Sequence, residues 1–202
     1  MKLTAEGKII IVIVLGIYAL VISLFLMTPA STPLSFIIRL CALLAMTSIF
    51  IATFMTPFMV QLYKYFGKSF IKIHHVFSIT GIVLATVHPI AFAIQEVNIG
   101  VFVPVFYPWY DFWLLAGRPA LILIYVAVLA VLLRKKIPAT WRPLHGLNYV
   151  VFFFGYVHGI LIGTDFQNIL ILIVFTIMLI LSLGALILKR LNAYKRSKKR
   201  KS

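Results

Sequence analysis

Acidic residues are nearly missing from this chain: Glu6, Glu96, Asp111 and Asp165 are the only four among 202 residues. Zinc and di-iron centres usually draw on carboxylates or cysteines, and none of these acids stands beside a histidine, which argues against carboxylate-based metal catalysis. Cysteine is scarcer still. Cys41 stands alone, which excludes a disulfide framework, a cysteine-held iron–sulfur cluster and a thiol pair within the chain. No glycine-rich dinucleotide fingerprint occurs, and there is no internal repeat, low-complexity segment or second soluble domain.

What the chain has in abundance is apolar surface. A composition that is 63% hydrophobic and 11% charged belongs to an integral membrane protein. Crossing about 30 Å of hydrocarbon takes roughly 20 apolar residues. Six runs qualify: Ile9 to Met27, about Ile37 to Met55, His74 to about Ala93, Phe112 to Leu133, Trp141 to Gly163, and Phe166 to Leu188. Thr56-Pro57 closes the second, since proline disfavours a continuing helix. Between the third and fourth, the segment from Gln95 to Tyr110 carries Pro104, Pro108, Trp109 and Tyr110, the punctuation and aromatic belt of a membrane surface. The expected fold class is an all-α membrane protein built as a six-transmembrane-helix bundle.

Basic residues predict its orientation. Lys2, Lys8, Lys64, Lys68, Lys72, Arg134, Lys135, Lys136, Arg142 and the tail alternate with connections that hold only Arg39 and Arg118 beside Glu96, Asp111 and Asp165. The positive-inside rule then puts both termini in the cytoplasm, for a multi-pass protein of the cell membrane. The net charge of +15, with Lys189, Arg190, Lys195, Arg196, Lys198, Lys199, Arg200 and Lys201 at the end, suits anionic membrane lipids at the head-group surface rather than nucleic acid. Docking of an acidic soluble partner is the other reading of that tail. The first run, followed by Thr28-Pro29-Ala30-Ser31, also has the look of a signal peptide, but it exceeds the usual apolar core of about 7–15 residues, so a retained helix is expected.

Histidine is rare in membrane helices, and an intramembrane ionisable group reads by default as functional. Here four fall in two pairs, His74 with His88 and His145 with His158, spaced 14 and 13 residues apart on the third and fifth runs. The two runs point the same way, so His74 and His145 share one depth and His88 and His158 another. At about 1.5 Å rise per residue the two levels lie roughly 20 Å apart, which places two cofactors with axial histidines one above the other. Rotation refines the assignment. At about 100° per residue, 14 steps return to within roughly 40° of the starting face, whereas 13 leave about 140°. This favours His74 over the neighbouring His75 as the partner of His88. The same arithmetic requires a local distortion in the fifth run, near Pro143 and Gly146 or at Gly155.

His74-His75, Thr86-Val87-His88-Pro89, the run from Trp141 to Tyr149 with its Trp-x-x-x-His-x-x-x-Tyr pattern, and His158-Gly159 together resemble the ferric reductase-like transmembrane domain family. That family includes NADPH oxidases, metalloreductases and the haem membrane subunit of the periplasmic methionine sulfoxide reductase system. The resemblance covers about Leu34 to Leu188, dividing the chain into an N-terminal helix and outer loop (1–33), a ferric reductase-like haem-binding domain (34–188) and a basic cytoplasmic tail (189–202). It implies two b-type haems between helices three and five, one being the fallback. The inner haem iron would be ligated by His74 and His145, with His75 as the alternative ligand, and the outer by His88 and His158. Lys72 and Arg142 would contact propionates of the inner haem and Arg118 those of the outer. Ser78 stands where the family often has glycine. Tyr149, Phe152, Phe153, Phe154 and Tyr156 fill the stretch between the helix-five histidines, where packing is the ordinary role of aromatics.

The function implied is that of a b-type cytochrome subunit of an oxidoreductase, with no residue of its own in a catalytic role. Only a short basic tail follows Leu188, so electrons are expected from a separate flavin reductase or a quinol, flavin being held only on a partner. They would leave to an acceptor on the outer or periplasmic face. The competing reading is a haem-free transporter or scaffold whose histidines bind protons or metal ions, and a third is a quinone-reactive enzyme.

Overall fold

The computed structural model describes residues 3–199, and all of the regular structure within them is helical. Lys2, Arg200 and Lys201 lie outside the described residues, as do the side chains of Arg196 and Lys199. The elements are α1 (Ala5–Leu26), α2 (Pro33–Phe54), α3 (Met59–Phe66), α4 (Phe70–Glu96), α5 (Trp109–Leu114), α6 (Gly117–Leu132), α7 (Trp141–His145), α8 (Asn148–Ile162) and α9 (Ile169–Lys199), with single 3₁₀ turns at Thr56–Phe58, Ile99–Phe102 and Thr164–Gln167. Taken with their continuations, five stretches are long and apolar enough to cross a membrane: Ala5–Leu26, Pro33–Phe66, Phe70–Glu96, Trp141–Ile162 and Ile169–Lys195. Gly117–Leu132 is apolar but shorter.

Local chemistry sets the starts and stops. The Thr4 hydroxyl accepts from the Gly7 amide at the start of α1, and Thr32 does the same for Ser35 ahead of Pro33 at the start of α2. Each cap satisfies an amide that the helix itself leaves without a partner. Three elements depart from the spans expected of the sequence. The chain after Pro57 does not run as a loop but turns through 3₁₀ into α3, which ends on Gly67 at φ 62°. The run Phe112 to Leu133 is not one helix. Pro119 has no amide to give to the Leu115 carbonyl, which accepts instead from Arg118 at 2.9 Å, and the chain breaks into α5 and α6 at Leu115–Ala116. The run from Trp141 is broken after His145, in the segment near Pro143 and Gly146 where the histidine spacing calls for a distortion. The last helix continues past Leu188 through the basic segment to Lys199.

Helix α2 is the hub, with its strongest packing against α4 and further packing against α1, α8 and α9, while α6 carries α7 and α8. Its second half is buried, and its hydroxyls are satisfied internally: Thr47 donates to the Leu43 carbonyl, Ser48 to Leu44 and Thr53 to Ile49. Among the described residues no buried side-chain nitrogen or oxygen lacks a partner, as a medium without water requires. Gly81 lets α4 close on α2, since a Cβ there would stand 2.9 Å from Ile49 and 3.3 Å from Ser48. The outward faces of α1, α4 and α9 present Ile9, Val12, Leu15, Ile79, Val83, Ile177 and Ile180. So continuous an apolar surface is stable only against hydrocarbon.

Candidate functional site

The four spaced histidines converge in two pairs. The rings of His74 and His145 have centroids 6.0 Å apart with planes at 77°. Those of His88 and His158 are 6.4 Å apart, also at 77°. Each pair joins α4 to the α7–α8 segment, and these helices are not principal packing partners of each other: α4 rests mainly on α2, and α8 on α6 and α9. The side chains, not the backbones, meet across the space between them.

All four rings are anchored in the same way. The Nδ1 of His74 donates to the Ala52 carbonyl at 3.2 Å, that of His88 to Ile38 at 2.9 Å, that of His145 to Ala127 at 3.3 Å and that of His158 to Leu114 at 2.8 Å. A carbonyl can only accept, so each Nδ1 carries the proton and each Nε2 carries the free lone pair. No Nε2 has a protein hydrogen-bond partner among the described residues. Outer-shell bonds of this kind commonly fix the tautomer and direction of metal-binding histidines. The acceptors repeat the histidine spacing in antiparallel register. Ile38 and Ala52 on α2 are 14 residues apart like His88 and His74, and Leu114 and Ala127 are 13 apart like His158 and His145.

Helix breaks free two of these carbonyls. Ala52 lies in the last turn of α2, just before Thr56-Pro57, and no amide beyond the helix takes its carbonyl. Leu114 closes α5, and the Arg118 amide that would have reached it bonds Leu115 instead. The α5–α6 break therefore serves the site directly, and the sequence pair Gly117 and Pro119 is the signal for it. Gly117 also makes room, because a Cβ there would stand 3.0 Å from Nε2 and Cδ2 of His158.

The distortion that the 13-residue spacing demands lies at Gly146–Leu147. There Leu147 bonds back to Leu144 and Tyr149 to Gly146, three residues each instead of four. A 3₁₀ step turns about 120° against 100° for an α step, so the tightened turn recovers part of the missing rotation in the required sense. Asn148 completes it, donating through Nδ2 to the His145 carbonyl at 2.8 Å. Phe70 stacks on His74 at 5.4 Å and 20°, steadying that ring.

His75 is exposed on α4, and its ring lies 6.4 Å from that of His74; it is His74 that faces His145. Lys72 is exposed near α1. Arg142 lies over the Trp141 ring at 5.2 Å, and Arg118 donates to the Gly100 and Val103 carbonyls. Lys189 of α9 comes within electrostatic reach of both His74 and His145, a neighbourhood its place in the basic tail did not suggest. The aromatics of α8 pack: Tyr149 bonds Thr56, Tyr156 bonds Thr176 at 2.6 Å, Phe152 lies near Phe50, and Phe153 and Phe154 meet Trp113.

Two imidazoles at such a separation, each with a free Nε2 lone pair, can share one metal when those lone pairs converge on it. With metal–nitrogen bonds of about 2.0–2.1 Å and a nitrogen about 1.1 Å from its ring centre, such rings have centroids roughly 6.3 Å apart, between the two observed values. Among the described residues no group of three or more His, Cys, Asp and Glu side chains converges. A bare tetrahedral ion would lack half its ligands at either pair, whereas a metal that brings its own equatorial donors needs only two. No family model, curated protein or solved structure matches the chain.

Proposed function

We propose that this chain is a membrane b-type cytochrome of the ferric reductase-like kind, carrying electrons across the membrane between a separate flavoprotein or quinol on the cytoplasmic side and an acceptor on the outer side. The observation that carries this reading is the two histidine pairs, each at the separation of a metal held from both faces and each with its Nδ1 committed to a carbonyl. His74 and His145 would hold the inner haem, and His88 and His158 the outer. A haem held by His74 with His145, and another by His88 with His158, would supply one-electron chemistry. The chain's part is to hold each imidazole in one tautomer, to keep the two levels about 20 Å apart along α4, and to half-bury both pairs among apolar helices.

In this reading Gly117–Leu132 is a sixth crossing. Its 16 residues rise about 24 Å, and α5 extends it at the outer end. Both termini then face the cytoplasm. The positive-inside argument gains support from Arg39, which is neutralised by Asp165 and so adds no net positive charge to the outer side.

The test uses sealed vesicles containing the haem-loaded protein, with ferricyanide trapped inside and a membrane-impermeant reductant outside. Reduction of the trapped ferricyanide well above that in protein-free vesicles is expected. A rate equal to theirs, with haem present, would contradict transmembrane electron transfer.

A further inference from the structure

The first helix leaves a groove where it passes α3 and α4. Its start is clipped to the end of α3, the Thr4 amide donating to the Tyr65 carbonyl at 3.0 Å, and Gly7 allows the approach, since a Cβ there would stand 2.6 Å from the same oxygen. Beyond the clip, α1 packs on α2, α3 and α9 and α4 on α2 and α3, but α1 and α4 are not principal partners of each other. Between them runs a groove of about 590 Å³, walled by Val14 and Tyr18 of α1, Phe66 of α3, and Ile73 and Phe77 of α4, together with Lys68 and Lys72. Because α4 begins at Phe70, soon after the clip, the two lysines stand at the clipped end and Tyr18 and Phe77 lie deeper along the groove.

This groove has the polarity of a lipid. The deeper walls are apolar, and the Tyr18 hydroxyl is occupied by Ser48 Oγ at 2.7 Å. Both lysines are exposed, and neither has an acidic partner, the single ion pair among the described residues being Arg39 with Asp165. Glu6, the acid at the start of α1, is not among the lining residues. A lysine lays its stem along apolar surface and carries its ammonium to head-group depth, and a basic pocket between membrane helices suits an anionic lipid head group. A neutral quinol would leave both ammonium groups without a counter-charge.

We propose that this groove binds one anionic glycerophospholipid, its phosphate between Lys68 and Lys72 and one acyl chain along Val14, Tyr18, Ile73 and Phe77. The lipid bridges α1 to α4 where the two helices do not pack on each other. The site stands apart from the histidine pairs, and its occupancy does not depend on haem.

Native mass spectrometry of the purified full chain tests this, after delipidation in detergent and exposure to phosphatidylglycerol and phosphatidylcholine at equal concentration. The native chain is expected to retain one phosphatidylglycerol in preference to phosphatidylcholine. Lys68→Gln with Lys72→Gln should weaken that preference by roughly thirtyfold, the effect of two lysines on one anion. Lys135→Gln with Lys136→Gln removes the same charge outside the groove and should leave the preference unchanged. Val14→Trp fills the groove, keeps the lysines and should lower the retention of both lipids. Equal losses from the two lysine pairs would reduce the effect to general charge attraction and overturn the site. Full retention by Val14→Trp, no preference in the native chain, or retention of a neutral quinone in place of the phospholipid would overturn it as well.

Discussion

Replacement of His88 by alanine is expected to remove one haem of two and to abolish electron transfer across the membrane, while the other haem keeps its spectrum. The reason is geometric. His88 and His158 form a self-contained pair 6.4 Å apart, and the His74–His145 pair lies about 20 Å along α4 with its own carbonyl anchors. Loss of one histidine at one level leaves every contact of the other in place. His74→Ala should mirror the result at the inner level. His75→Ala should leave both haems, because its exposed ring is not the one turned to His145. Haem content per chain by alkaline pyridine assay reads all three variants. Loss of haem from His75→Ala with retention in His74→Ala would reverse the inner assignment.

The second large effect comes from a residue that binds nothing. Gly117→Val is expected to empty most of the outer haem site while sparing the inner one. A Cβ at Gly117 already stands 3.0 Å from Nε2 and Cδ2 of His158, so two further methyl groups must displace that ring. The ring is held on its other side by the Leu114 carbonyl at 2.8 Å and cannot move without losing its anchor. Overpacking of this kind typically costs about 1–3 kcal/mol, enough to misdirect a ligand without unfolding a bundle whose other contacts are intact. Gly117→Ala should show the same trend more weakly. Full outer-haem occupancy in Gly117→Val would mean that the ring does not need the position it takes here.

Much of this arrangement is written in residue type and spacing. Apolar runs locate the long helices to within a few residues, because an apolar run in hydrocarbon must satisfy its backbone within itself. The end of α9 is the exception, where the helix continues through the basic segment that hydropathy does not mark. The 14-residue spacing of His74 and His88 puts both on one face, and the 13-residue spacing of His145 and His158 calls for a distortion that the tightened turn at Gly146–Leu147 supplies in part. The anchors are a different matter. Ile38, Ala52, Leu114 and Ala127 act through their carbonyls, which every residue possesses, so their side chains carry no trace of the role. The α5–α6 break had a signal in Pro119, but an apolar run from Phe112 to Leu133 reads as one helix on hydropathy alone. Arg39 and Asp165 are 126 residues apart, and only the packing of α2 against the α8–α9 turn brings them together. Arg39 was legible as a charge on the outer side, not as half of a buried pair.

The most direct measurement is haem stoichiometry in protein expressed with haem supplied. Reduced-minus-oxidised absorbance, with the haem quantified against chain concentration, should show b-type bands at two haems per chain. Protein that folds in the membrane without any b-type bands would contradict the account, and the histidine pairs would then have to serve protons or metal ions instead.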